Sequence, residues 1–127
     1  MALDFIYSQP VKIYFGAGTF AKLGEILSEE GIDAEVINVH TIKPIDRETV
    51  IASARKTGAV LTVENHNVIG GLQSAVLEAL AAEKIPVCAV GVEDRFGEVG
   101  KLPYLREVMG LTVENIVAGA KKALSLK

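Results

Sequence analysis

Ala59-Val60-Leu61-Thr62-Val63-Glu64-Asn65-His66-Asn67-Val68-Ile69-Gly70-Gly71-Leu72 decides the fold. Its opening, Ala59 to Glu64, is nearly all apolar, and a strand that is apolar on both faces belongs mid-sheet, covered from both sides, as in parallel sheets. The stretch from Asn65 to Gly70, opening on three polar residues and closing on a glycine, reads as a loop. Directly after it Leu72, Ala75, Val76, Ala79 and Leu80 recur at i, i+3, i+4, i+7 and i+8, the spacing of one apolar helix face. A buried strand turning through a short loop into an amphipathic helix is half of a βαβ unit.

The same alternation extends outward in both directions. Upstream, Val11 to Phe15 and Ala34 to Val39 read as strands. Between them Phe20, Leu23, Ile26 and Leu27 share a helix face that Gly31 closes. Asp46 caps a further helix carrying Val50, Ile51 and Ala54, and Gly58 ends it. Downstream, Pro86 to Val92 is another buried strand. Two helices finish the chain, one through Leu102, Leu105, Val108 and Met109 to Gly110, the other capped by Thr112 and carrying Ile116, Val117, Ala120, Ala123 and Leu124. Leu3 to Ser8 reads as an additional strand. Gln9-Pro10 leaves too little chain for a parallel crossover, so this strand is expected to run antiparallel at an edge. The expected fold is a three-layer α/β/α domain over residues 1–127, with a five-stranded, mostly parallel sheet and right-handed crossovers that put helices on both faces.

Composition excludes several functions. With 127 residues, half of them hydrophobic, the chain can bury one core, and a single domain is expected. Thirteen basic against 16 acidic residues give a net charge of -3 without any concentrated basic face, which argues against nucleic acid as a partner. Cys88 is the only cysteine and sits in an apolar run, so a buried structural thiol is expected and an intrachain disulfide is not. No apolar run approaches the roughly 18 residues that span a membrane, and the start lacks a secretory pattern. The expectation is a soluble cytoplasmic protein with no membrane partner.

Few motifs carry chemistry. Gly16-Ala17-Gly18-Thr19-Phe20-Ala21 fits the G-x-G-x-x-G/A turn that brings a pyrophosphate to a helix N-terminus. A dinucleotide site also needs an acid about 20 positions on. Asn38-Val39-His40 stands there instead, which favours a plain strand-to-helix turn. His40 and His66 are the only histidines, and with one cysteine they give no metal-ligand spacing. His66 follows a buried strand at the end where open α/β sheets place ligands. It is a candidate for acid/base, phosphate or interdomain contacts. Gly70 and Gly71, just before a helix, could offer backbone N–H groups to an anion, although two glycines equally serve a sharp turn. Glu93-Asp94 reads as a solvated strand exit rather than a catalytic pair. No G-x-S-x-G elbow, Walker loop or paired-carboxylate arrangement occurs.

Three segments in register resemble a known family: Asn38-Val39-His40-Thr41-Ile42-Lys43-Pro44-Ile45-Asp46, Thr62 to Leu72, and Gly91-Val92-Glu93-Asp94-Arg95-Phe96-Gly97-Glu98. Together they are similar to the transketolase C-terminal domain, especially the separately encoded C-terminal sections of split transketolases, over about Gly31 to Lys127. Gln73 and Val99 depart from the family, which commonly has glycine and serine there. The segment from Pro10 to Thr19, with Leu23, resembles instead the opening of iron-containing alcohol dehydrogenases, which raises a hybrid in which one βα unit has been exchanged.

The resemblance implies a sheet order of 1-3-2-4-5. It also implies a role in ketol transfer between sugar phosphates, in the manner of the pentose phosphate pathway. In that family thiamine diphosphate and magnesium are held by a domain with a G-D-G motif, and a glutamate on a second domain activates the coenzyme. Neither feature is in this sequence, so this chain alone is expected to bind no cofactor and to contribute no catalytic residue. The implied partner is an N-terminal transketolase half carrying the cofactor domains. Against it the candidate anion or domain-interface contacts are His66, Gly70, Gly71, Asp94, Arg95 and Phe96. An apolar patch that a neighbour would cover is also expected, and with it association into a homodimer. Competing expectations are an isolated or hybrid scaffold with no activity of its own, and a small ligand-binding module at Gly16–Ala21.

Overall fold

The computed structural model describes residues 5–8, 12–15 and 20–127, with side chains described from Lys22 onward. Strands β1 (Phe5–Ser8) and β2 (Lys12–Phe15) pair antiparallel, Phe5 opposite Phe15. Helix α1 (Phe20–Glu29) and helix α2 (Arg47–Thr57) precede strand β3 (Val60–Asn67) and helix α3 (Leu72–Ala79). Strand β4 (Val87–Val92) pairs parallel with β3, and helices α4 (Leu102–Val108) and α5 (Val113–Ser125) complete the chain.

Side-chain parity along β3 sorts the layers. Ala59, Leu61 and Val63 join Leu23 and Leu27 of α1 and Ile116, Ala120 and Ala123 of α5 in one core; Cys88 of β4 belongs to it too. Val60 faces the other way, into a second core with Val50 and Ala54 of α2 and Leu72, Val76 and Ala79 of α3. Odd and even positions of one strand thus feed two helical layers, the α/β/α arrangement expected of a strand with no polar face. Each fully buried Leu or Val contributes roughly 1.5–3 kcal/mol by leaving water. Cys88 is a free, buried thiol.

Local chemistry sets the helix ends. Asp46 Oδ1 accepts the Thr49 N–H at 3.1 Å to start α2, and Gly58 stops it at φ +76°, a left-handed conformation that disfavours a β-carbon. Thr112 Oγ1 accepts the Asn115 N–H to start α5. Arg55 ties α2 to the turn beyond α3 through a two-pronged pair with Glu83, at 2.7 and 3.1 Å.

The structure differs from the sequence reading in two places. First, the hydrogen-bonded ladders are two separate strand pairs, so the neighbours that would join them in a 1-3-2-4-5 sheet are not drawn among the described residues. Ala34 to Val39 contributes one bridge residue, Ile37, in place of a full strand. The segment is nevertheless placed like a strand, because Ala34 and Val36 pack on the α1/α5 core while Ile37 and Val39 pack on the α2/α3 core. Second, β3 runs on to Asn67, through residues read as loop. The cause is a break in register: Val63 pairs with Val90, but the next pairing is Asn67 with Val92. Polar residues can occupy the end of β3 because it bulges away from its neighbour there.

Candidate functional site

The bulge delivers a carboxylate to the start of a helix. Glu64 shares the parity of Val60, so it points toward the α3 layer, and it is only 2% exposed. Its Oε2 accepts the Leu72 N–H at 2.6 Å and its Oε1 accepts the Gln73 N–H at 3.1 Å. These are two first-turn donors that a helix cannot satisfy internally. Gly71, the residue at the cap, has no side chain to serve them. Glu64 therefore caps α3 from another element, with its negative charge at the positive end of the helix dipole.

Two glycines make room for it. A β-carbon on Gly71 would stand 2.2 Å from Glu64 Oε2 and 2.7 Å from the Asn67 carbonyl oxygen. A β-carbon on Gly91 would stand 2.6 Å from Val68 Cγ1 and 3.1 Å from Glu64 Cγ. Both distances at Gly71 are shorter than real contacts, so the quoted Glu64, Gly71 and Gly91 are one packing unit drawn from β3, α3 and β4. Gly70 adds its own anchor, its N–H donating to Ser74 Oγ at 2.8 Å. The carboxylate at the start of α3 is thus internal, and its donors are Leu72 and Gln73, one and two residues past the glycine pair read from the sequence as anion donors.

The remaining candidates lie in the last residues of β3 and just after β4. His66 is exposed, its Nδ1 2.9 Å from the Asn67 carbonyl oxygen. Asp94, Arg95 and Phe96 sit in the segment between β4 and α4, and all three are exposed. Arg95 is fixed rather than free: its guanidinium pairs with Glu98 and donates to the Val108 carbonyl at 3.2 Å. Glu98 in turn accepts the Tyr104 hydroxyl at 3.0 Å. That hydrogen bond, and then the charge of Glu98, hold the Tyr104 phenol above its usual value of 10.0.

Geometry thus separates the candidates. Gly71 belongs to the Glu64 cap, Gly70 to its bond with Ser74, Arg95 to the brace with Glu98 and Tyr104, and Phe96 to the exposed segment after β4. His40 is elsewhere, its Nδ1 2.8 Å from Thr41 Oγ1. Among the described residues no three His, Cys, Asp or Glu side chains cluster as a metal site, and no helix is long and apolar enough to cross a membrane. A groove of about 790 Å³ runs beside β4 between Arg95, Met109 and Lys122, and one of about 510 Å³ opens at the start of β3 near Asp33 and Lys56. The Gly16–Ala21 turn lies outside the described residues at positions 16–19. Glu64 was missed as a functional residue although it stood in the quoted motif. The available signal was a lone acid closing an apolar strand shortly before two glycines and a helix.

A family model for "Transketolase, C-terminal domain" matches residues 18–116. This chain belongs to the transketolase C-terminal domain family. The match starts upstream of Gly31, so α1 falls inside the family region. The transketolase C-terminal domain here is 53% identical over 104 residues to the 6-deoxy-6-sulfo-D-fructose transketolase subunit SqwH of Clostridium sp. (strain MSTE9), covering 81% of this chain and 32% of that protein. It is 40% identical over 108 residues to 1-deoxy-D-xylulose-5-phosphate synthase of Heliobacterium modesticaldum, covering 83% of this chain and 16% of that protein. Among solved structures, a chain described as "Split gene transketolase, inactive beta4 tetramer" superposes with a TM-score of 0.76 at 49% identity, over 86% of this chain and 36% of that one. The chain therefore spans about a third or less of the proteins it resembles. The resemblance of Pro10–Thr19 to iron-containing alcohol dehydrogenases falls almost wholly ahead of the family match, and most of it lies outside the described residues.

Proposed function

We propose that this chain is the C-terminal section of a transketolase-type, thiamine diphosphate-dependent enzyme that transfers two-carbon ketol units between sugar phosphates. Its role in that reading is assembly, and the coenzyme and its magnesium belong to an N-terminal partner. The carrying observation is the family match over residues 18–116, together with an alignment that covers 32% of a related transketolase subunit. The internal capping of α3 by Glu64 supports it, because the one helix start with a glycine pair is already committed. In the assembled protein the sheet takes the order 1-3-2-4-5, with Ala34–Val39 completing its ladder. The test is co-expression with an N-terminal transketolase half, followed by co-purification, calorimetry with thiamine diphosphate and a coupled ketol-transfer assay. The expected result is a complex that binds coenzyme and turns over, while this chain alone does neither. Micromolar coenzyme binding by this chain alone would overturn the reading.

A second reading, a hybrid scaffold with no activity, draws on the family match beginning only at residue 18, where the alcohol dehydrogenase-like segment ends. A co-purifying complex that restores no ketol transfer favours it over the first.

A further inference from the structure

Among the described residues, strand β4 is hydrogen-bonded on one side only, to β3. The backbone groups of alternate residues along a strand point to opposite sides. The Pro86 carbonyl accepts the Val60 N–H at 2.9 Å and the Val92 carbonyl accepts the Val68 N–H at 3.0 Å, so the even-numbered residues face β3. The N–H and C=O groups of Val87, Ala89 and Gly91 therefore point away from it, and all three residues line the groove of about 790 Å³ beside β4.

This edge carries none of the features that keep another strand away. Soluble proteins protect an open edge with a lysine, a proline, a bulge or a covering helix. Val87-Cys88-Ala89-Val90-Gly91-Val92 contains no charge and no proline. Pro86 precedes the strand and has its ring nitrogen on the β3 side, which leaves the outer edge intact. Helix α4, the next element in the chain, buries none of its own residues and so provides no seal.

The geometry points to a second copy of this chain as the occupant of the edge, added as an antiparallel β4–β4 pair about a two-fold axis at Ala89. One register satisfies every outward group. With Ala89 opposite the second copy's Ala89, Val87 falls opposite Gly91 and Gly91 opposite Val87, each as a hydrogen-bonded pair. The same register sets Lys84 opposite the second copy's Asp94, because the two residues lie equally far from Ala89 on either side. Both are exposed, and among the described residues neither belongs to an ion pair. A parallel addition in register would instead put like charge beside like at both ends. The antiparallel pair uses up the outer edge of each copy, so it closes as a dimer. It needs no N-terminal partner and stands or falls separately from the assembly reading above.

Sedimentation of the full chain over a concentration series reads the pairing, with Ala89→Pro, Lys84→Glu and the charge swap Lys84→Glu/Asp94→Lys as variants. Proline at position 89 removes an outward N–H and leaves the β3 ladder its donors. Wild type should dimerise, and Ala89→Pro should raise the dissociation constant at least about tenfold, since two symmetric hydrogen bonds are lost. Lys84→Glu should raise it about fivefold, and the swap should bring it back to within about twofold of wild type. Lys84 and Asp94 are exposed, so the charge variants keep the test alive even if proline at 89 disturbs the fold. A wild-type chain that stays monomeric at about 1 mM overturns the inference. So does a dimer that tolerates the charge reversal, or one that the swap fails to restore. An N-terminal transketolase half whose co-purification Ala89→Pro abolishes, while the wild-type chain alone stays monomeric, takes the edge for that partner and overturns it as well.

Discussion

Replacing Glu64 by Ala tests the internal cap directly. The substitution removes two charge-assisted hydrogen bonds, at 2.6 and 3.1 Å, from a carboxylate only 2% exposed. The Leu72 N–H is buried, and leaving it without an acceptor costs about 1–3 kcal/mol. The part-buried Gln73 N–H recovers some hydration, and the void left by the side chain adds about 1 kcal/mol. The sum is about 3 kcal/mol, which lowers the melting temperature of a domain this size by about 10 °C. Urea denaturation, with the slope unchanged, measures the difference. Gly71→Ala supplies the internal check, since its new β-carbon would press on Glu64 Oε2 at 2.2 Å and on the Asn67 carbonyl at 2.7 Å. Removing Glu64 relieves the first clash only, so the double variant should be about 1 kcal/mol more stable than the sum of the two single losses implies. Strict additivity, or a loss below about 1 kcal/mol for Glu64→Ala, refutes the cap.

Three further outcomes follow from the same geometry. The Asp46 carboxyl is held below its ordinary 3.8 by its hydrogen bonds from Thr49, so its contribution to stability is complete above pH 3.8 and is lost as pH falls through its lower folded value; Asp46→Asn should flatten that part of an acid-unfolding profile. The Tyr104 phenol, raised by Glu98, contributes stability below pH 10.0 that is lost as pH rises through its folded value, and Glu98→Gln should move its ionisation down in a near-ultraviolet titration. Gly58→Ala, at φ +76°, should cost about 1 kcal/mol in denaturant unfolding.

Much of this architecture was legible because each element carried its own local instruction. Asp46, Gly58 and Thr112 stand at helix ends where their side chains or lack of one decide the backbone, and all three act there as read. The apolar run Ala59–Glu64 announced a strand covered on both faces, and its odd and even residues feed two cores. The end of β3 was misread because Asn65, His66 and Asn67 are polar, and composition cannot distinguish a loop from a strand that bulges away from its partner. The cap on α3 was illegible for a related reason. Its acceptor comes from a different element, Glu64, and only the fold brings Leu72 within 2.6 Å of it. Likewise the brace from Arg95 to Tyr104 depends on a turn whose shape the residues between them do not spell out.

The register break in β3 constrains how this domain can vary. Between the Val63–Val90 and Asn67–Val92 pairings β3 advances by four residues and β4 by two, a surplus of two. Because that surplus is even, side chains after it return to the layers they would have faced without it. A related protein that gained or lost a single residue at the end of the run Leu61–Val63, ahead of Glu64, would turn its acid toward the α1/α5 layer, away from the helix start it serves. Length changes at this point should therefore come in pairs, or come together with a new polar side chain at the position of Gly71.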